Sequence, residues 1–415
     1  MKIIYIIVEN YNRELIGKLY LSMNLANSLD NYKIIIGEKN KIRKLLNFAP
    51  SGIIIEKGMR KGLIESLKKY KKKNHKIFLI DEEAITYAND NFYFKRNIDK
   101  GIENYVDLFL ATGERHKKTL IKKINKNKIS VIGNLRFDIK KKTYSNIYKD
   151  IVIENKKKYG KFFLINSRFG HINKNSAYRI KFDQSYYKSS LKIYKHFLKL
   201  PQKISLLYKN NKVILRPHPS ENILTWVNKY TKKKNIVVIY KNNVVPWILG
   251  SKKIYQNRCT TALDAFFLRK SVINFDPYKS KFEHKKLFSI LGKKSHKIKV
   301  NEKKIIKNYV ENFFTHDASA KLVKIIKKIK LKKNKSYSMI LFLILVKLDI
   351  LVENLKKIFS KNNQDYKNYT KQKIGENNEL FITKMFDKMK KEYSDKKKLS
   401  ISFFSPDIFI IEKKI

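Results

Sequence analysis

The chain is 415 residues long and 43% hydrophobic, enough for two domains that each bury a core, which excludes an intrinsically disordered chain. Its formal net charge is +58, but only 11 of the 93 basic residues are arginine and the lysines run the whole length. The charge therefore reads as solvated faces; no specific nucleic-acid partner is expected, while attraction to anionic lipid is. Cys259 is the only cysteine, which excludes an intrachain disulfide and a cysteine-based metal site and fits a reducing cytoplasm.

The chain opens on Ile3–Val8, a β-rich apolar run followed at once by Glu9, with no small-residue cleavage site; it predicts a buried first strand rather than a secretion signal. Five more runs follow at Lys33–Ile36, Gly52–Ile55, Lys76–Ile80, Leu108–Ala111 and Ile129–Ile132, with helical stretches between them. Runs that are apolar throughout, rather than alternating, predict strands of a parallel sheet covered by helices on both faces. A second series at Phe162–Ile165, Lys212–Leu215, Ile236–Ile239, Lys253–Tyr255 and Ser271–Phe275 predicts a second sheet of the same α/β, doubly wound kind. Tyr144–Lys161, rich in Lys, Tyr and Asn, lies between them, so the expected domains are 1–155 and 156–300. Residues 301–415 read as a basic, helical C-terminal region. Lys321–Lys333 is Lys-heavy and amphipathic, and Met339–Val352 is mostly apolar but broken by Lys347 and Asp349, too short to cross a membrane. That second stretch either packs as a core helix or lies in a membrane interface, and Ile401–Ile411 is a late strand or a docking segment.

Chemistry is expected where strands end, because open α/β sheets bind ligands at the carboxyl edge. Arg216-Pro217-His218-Pro219-Ser220-Glu221 directly follows the Lys212–Leu215 strand. Its prolines stiffen the turn, Arg216 offers a planar fork suited to phosphate and His218 a further donor; the plainer reading is a rigid surface turn. Asn257-Arg258-Cys259-Thr260-Thr261 follows another strand and opens a helix, where hydroxyls and backbone N–H groups suit an anion, or where a threonine merely caps. Asp81-Glu82-Glu83 ends the Lys76–Ile80 strand: one of these acids could be a general base, or all three could favour a helix start. Gly133-Asn134-Leu135-Arg136-Phe137-Asp138 and Asn166-Ser167-Arg168-Phe169-Gly170 complete the strand-end set, with Asn166, Ser167 and Arg168 as candidate ligand donors and Gly133 and Asn134 suited to a tight turn; the plainer reading of both is ordinary loop chemistry. No Walker loop, dinucleotide glycine fingerprint, serine elbow, zinc motif or Asp-x-Asp pair is present, so neither a metal nor a separate cofactor is expected.

This ordered series, together with Arg13-Glu14-Leu15 after the first strand, resembles the bacterial surface carbohydrate biosynthesis proteins, GT-B glycosyltransferases of envelope polysaccharide loci. The resemblance covers roughly residues 1 to 290. The acidic strand end and the His-Pro pair are also similar to those of CMP-sugar-using sialyltransferases and Kdo transferases. It implies two Rossmann-like domains facing a cleft, the first on the acceptor side and the second binding the nucleotide sugar. It further implies Glu82, or its neighbours Asp81 and Glu83, as base. The donor would lie against Asn166, Arg168, Arg216, His218, Pro219, Glu221, Asn257, Thr260 and Thr261. Ala84 stands where a glycine is more usual and Leu135 where a proline is frequent, two departures that bear on the loop geometry there. The expected reaction is transfer of an acidic sugar from a CMP donor to a glycan or lipid-linked acceptor, in the cytoplasm against the inner membrane surface. A UDP- or GDP-sugar or a CDP-polyol donor is the alternative, and a non-catalytic basic protein binding nucleic acid or membrane is the reading from another class.

Overall fold

The computed structural model describes residues 1–58, 62–87, 89–173, 184–239, 243–278, 284–293, 295–331, 341, 342, 344, 346–348, 379–393, 398–405 and 407–413. They fall into two compact units, one of Met1–Thr143 with the described part of 304–413, the other the described part of Tyr144–Lys303.

In the first unit the six expected runs form β1 (Lys2–Val8), β2 (Tyr32–Glu38), β3 (Ile53–Lys57), β4 (Lys76–Ile80), β5 (Leu108–Ala111) and β6 (Ile129–Val131). They pair in parallel in the order β2-β1-β3-β4-β5-β6. Ile3 to Val8 are all fully buried, as a strand covered on both faces requires. The chain moves from β1 outward to β2 on one side and to β3 on the other, so the order reverses between β1 and β3, and ligands of such sheets lodge at that reversal. The helix Tyr11–Ser28 follows β1 and is buried over most of its circumference, Glu14 and Lys18 included. Charged groups so placed must find partners.

The second unit holds β7 (Phe162–Asn166), β8 (Lys212–Arg216), β9 (Ile236–Val238), β10 (Ile254–Gln256) and β11 (Val272–Asn274), all parallel, in the order β11-β10-β7-β8-β9. This is the dinucleotide-fold order 3-2-1-4-5, and its reversal lies between β7 and β10. Its core gathers Phe163, Ile165, Phe169, Phe197, Val213, Leu215 and Trp226.

The C-terminal region is not helical throughout. After the helices Ala318–Lys327 and Glu379–Glu392, the chain ends in a hairpin of β12 (Leu399–Ser405) and β13 (Ile408–Lys413). β13 pairs antiparallel with β2, matching Ile408 to Gly37 and Ile411 to Ile34, so the late apolar run extends the first sheet. Lys321–Lys333 contributes Leu322, Val323 and Ile326 to the interior; its residues from 332 on lie outside the described residues. Within Met339–Val352, Phe342 and Val346 join the first core while Leu341, Ile344 and Leu348 face outward, and the remainder lies outside the described residues apart from Lys347. Among the described residues, no helix is long and apolar enough to cross a membrane.

Candidate functional site

At the β1/β3 reversal of the first unit, the strand-end residues and the first helix build a buried charge cluster. Lys57, the last residue of β3, places Nζ 2.7 Å from Glu9 Oε2, 2.9 Å from Glu14 Oε1 and 3.2 Å from Glu83 Oε1. Lys18 lies one turn after Glu14 on the same helix; its Nζ donates to Ile7 O at 2.6 Å and Glu14 Oε2 at 2.8 Å and stands 3.5 Å from Glu82 Oε2. Arg13 pairs with Glu83. Burial works against the charge of Glu14, but Lys18, Lys57 and Arg13 outweigh it and hold the carboxyl down to about 2. Burial likewise opposes the charge on Lys57, and Glu14, Glu83 and Glu9 override it, raising its pKa.

The acidic trio separates into three environments. Asp81 accepts the Glu83 backbone N–H at 3.0 Å and the Tyr93 hydroxyl at 3.1 Å, and Tyr93 in turn meets His116 Nε2 at 2.8 Å. His116 Nδ1 takes the Thr112 N–H, so the neutral ring carries its proton on Nε2 and donates it to Tyr93. Burial, then Arg115, pushes the His116 pKa down to about 3, which keeps that ring neutral. Glu83 is a third exposed and ion-paired with both Arg13 and Lys57. Glu82 is buried, and its Oε2 accepts no hydrogen bond. Burial pushes its pKa up, Lys18 opposes and Glu14 reinforces. Glu82 is thus a buried carboxyl with raised proton affinity whose ion-pair partner Lys18 stands at 3.5 Å.

The Asn134–Asp138 segment has another task. Asn134 N–H donates to Asn312 Oδ1 at 2.7 Å, Asn312 Nδ2 donates to Asn134 O at 3.0 Å and to Asp138 Oδ1 at 2.5 Å, and Asp138 also takes the backbone N–H groups of Ala318 and Ser319. Gly133, at φ +106°, packs where any Cβ would overlap the Asn312 side chain. The segment thus latches the chain near residue 312 and the start of the Ala318–Lys327 helix onto the sheet. Asn134 also donates to Glu82 O at 3.0 Å, so the latch braces the acidic turn.

In the second unit, Glu221 joins two strand-end loops. Its Oε1 accepts from the Ser167 hydroxyl at 2.8 Å, Phe169 N–H at 3.0 Å and His218 N–H at 3.1 Å, and its Oε2 accepts from Trp226 Nε1 at 2.9 Å. Both oxygens are therefore committed inside the protein, and Glu221 sets the shape of the turn instead of offering itself to a ligand. Gly170 lets the loops touch, since a Cβ there would overlap Ser220 Oγ. His218 Nδ1 accepts the Ser220 N–H at 3.2 Å, which leaves the proton of the neutral ring on Nε2. Arg216 is buried with its guanidinium 5.5 Å from the Trp247 ring centre.

Across the β7/β10 reversal, Asn166 and Gln256 are register partners at the strand ends. Asn166 Nδ2 donates to Thr261 Oγ1 at 3.3 Å, so the Thr261 hydroxyl keeps its own proton to donate. Thr260 does not cap its helix through its side chain. Arg168 donates to Arg258 O at 2.5 Å, bridging the same two loops, and Arg258 is held at φ +49° with its guanidinium 3.1 Å from Asp276. Asn257 is 7% exposed, and its Oδ1 has no hydrogen-bond partner. Asn166, Asn257, Thr260 and Thr261 thus share one carboxyl edge, with Arg216 at the end of the adjoining β8 and His218 and Pro219 on the loop that follows it. Among the described residues, no three His, Cys, Asp or Glu side chains gather as metal ligands would.

No family model and no curated protein matches the sequence. Solved structures do. The UDP-GlcNAc 2-epimerase of Methanocaldococcus jannaschii, solved with UDP-GlcNAc and UDP, superposes with a TM-score of 0.51 at 15% identity over 79% of this chain and 99% of its own. MnaA of S. aureus, solved with UDP, gives 0.53 at 14% over 81% and 100%. The Neisseria meningitidis UDP-GlcNAc 2-epimerase, bound to UDP-GlcNAc, gives 0.51 at 13% over 79% and 100%. This chain shares their two-unit GT-B-like fold. The GT-B expectation drawn from motifs is thereby met at the level of architecture, from β1 through the second sheet.

Sequence reasoning passed over Glu9, Lys18, Lys57 and Asn312. The Glu14–Lys18 spacing of four on one helix was the available signal for the first cluster. Asn312 is 174 residues from Asp138 and carries no local mark.

Proposed function

We propose that this protein is a glycosyltransferase of cell-surface polysaccharide or lipopolysaccharide assembly, using a nucleotide-activated sugar and working at the inner face of the membrane. One observation carries the reading: at the β7/β10 reversal Asn166, Asn257, Thr260 and Thr261 share a carboxyl edge beside the stiffened His218 loop. The donor phosphate lies against Thr261, Thr260 and His218, whose O–H and Nε2–H groups take up charge as the leaving group departs. Glu82 is the base. The acceptor hydroxyl oxygen bonds to the anomeric carbon, the bond from that carbon to the phosphate oxygen breaks with its electron pair leaving on the nucleotide, and Glu82 receives the hydroxyl proton. UDP in all three reported neighbours favours a UDP-linked donor over the CMP-linked acidic sugar that the motifs suggested.

Calorimetric titration with UDP-GlcNAc and with a CMP-linked acidic sugar tests the donor. Binding of the first with a silent second supports the UDP reading, the reverse restores CMP, and silence from both removes these two donors. A second reading is favoured by the neighbours' own activity: inversion of the donor sugar at C2. Incubating UDP-GlcNAc with the protein alone separates the two, since an epimerase forms the C2 epimer without acceptor and a transferase does not.

A further inference from the structure

The unpartnered amide of Asn257 deepens the donor-site reading above and rests on it. Asn257 follows β10 directly, beside the reversal, and the groups around it are satisfied by one another. Gln256 Nε2 and Arg258 N–H both donate to Asn274 Oδ1 at 3.0 Å, Gln256 Oε1 takes the Cys259 N–H at 2.5 Å, and Arg258 is tied to Asp276. Its two chain neighbours are thus fixed on a rigid β10–β11 edge, and Asn257 Oδ1 alone is left buried without a donor. A buried carbonyl oxygen without a hydrogen bond is costly, and proteins answer most such groups, with a ligand or an ordered water where the chain offers no donor.

The chemistry of that atom limits what answers it. An amide oxygen repels phosphate oxygens and attracts O–H or N–H. We infer that Asn257 reads an uncharged, hydrogen-bond-donating part of the nucleotide sugar, a hydroxyl or N–H of the nucleoside or of the sugar, while the phosphates are held elsewhere by Thr260, Thr261 and His218. Asn257 is on this view a specificity residue, setting which donor is accepted and not how strongly its charge is held.

The test compares wild type and Asn257→Ala, as the full chain, by calorimetry with inorganic pyrophosphate, UDP and UDP-GlcNAc. One neutral hydrogen bond corresponds to about a three- to tenfold change in affinity. Asn257→Ala should weaken UDP or UDP-GlcNAc by about that factor and leave pyrophosphate unchanged, which also shows the variant folded. Loss already seen with UDP assigns the contact to the nucleoside, and loss confined to UDP-GlcNAc assigns it to the sugar; both support the inference. Equal losses for pyrophosphate and UDP would make Asn257 a phosphate ligand and overturn it, as would unchanged affinity for all three. If wild type binds pyrophosphate but neither these two nucleotides nor the CMP-linked acidic sugar, the donor reading fails and takes this inference with it.

Discussion

Replacing Glu221 separates the shape of the second-unit loops from their chemistry. In Glu221→Gln the amide oxygen still accepts from Ser167, Phe169 and His218, but an NH₂ group faces Trp226 Nε1, which is itself a donor and is fully buried. An unpaired buried donor costs about 1–3 kcal/mol, and the loss of a charged acceptor weakens the three surviving bonds, so a destabilisation of about 2–4 kcal/mol is expected. Glu221→Ala strands all four donors, and relaxation keeps the sum below four full penalties, at roughly 4–6 kcal/mol. Trp226→Phe in the Glu221→Gln background removes the indole donor that opposes the new NH₂ group, so the double variant should be more stable than the two single losses predict, by about 1–2 kcal/mol. Urea unfolding followed by fluorescence, with nucleotide titration on the same samples, measures both sides. Glu221→Gln should keep nucleotide affinity within a few-fold, whereas Glu221→Ala should lose it, because the His218 and Phe169 backbones are no longer held. Additive losses in the cycle, or full stability in Glu221→Ala, would refute the claim that this carboxylate organises the loops.

The acid cluster predicts that Glu82→Gln lowers turnover by about 10²–10⁴ with donor affinity nearly intact, while Glu83→Gln, already ion-paired, changes it far less; steady-state kinetics once an acceptor is in hand reads the difference. Lys57→Met leaves Glu9 and Glu14 buried without their shared cation and should cost about 3–5 kcal/mol in chemical denaturation. Asp138→Ala frees four backbone and side-chain donors of the latch, so limited proteolysis should cut the chain after residue 310 faster than in wild type, with a stability loss of about 2–4 kcal/mol. Burial holds His75 down to about 4 and His116 down to about 3, so below the ordinary value of 6.5 the unfolded chain takes up protons that the native rings refuse. Stability is therefore lost as pH falls from 6.5 toward those values, by about 2 kcal/mol per histidine at pH 5, and His75→Gln or His116→Gln should each flatten the unfolding profile between pH 7 and 5 by that amount.

All eleven parallel strands were legible, because an uninterrupted run such as Ile3–Val8 or Phe162–Ile165 has one comfortable home, the middle of a covered sheet. Their spatial order was not, since nothing in β1 states that β2 and β3 flank it on opposite sides, and the order decides which strand ends meet. That is why Asn166 and Thr261 could be named as candidates but not paired, and why Lys57 at the end of β3 was missed although it touches three carboxylates. The same blindness applied to distance along the chain. Asp138 closes one of the strand-end segments, yet its partners Asn312, Ala318 and Ser319 come from 174 residues or more away, and they make it a latch. Polar residue type was the weak guide throughout: Glu221, Asp138 and Asp81 each look like site residues in sequence and are each saturated by internal donors in the fold. Glu82 and Asn257 look no different from them, and only the fold shows an oxygen on each that is buried and accepts no hydrogen bond. An oxygen left without a hydrogen bond carries a cost that the saturated residues avoid, so at the strand ends these two are among the atoms from which the chemistry of this protein is best argued.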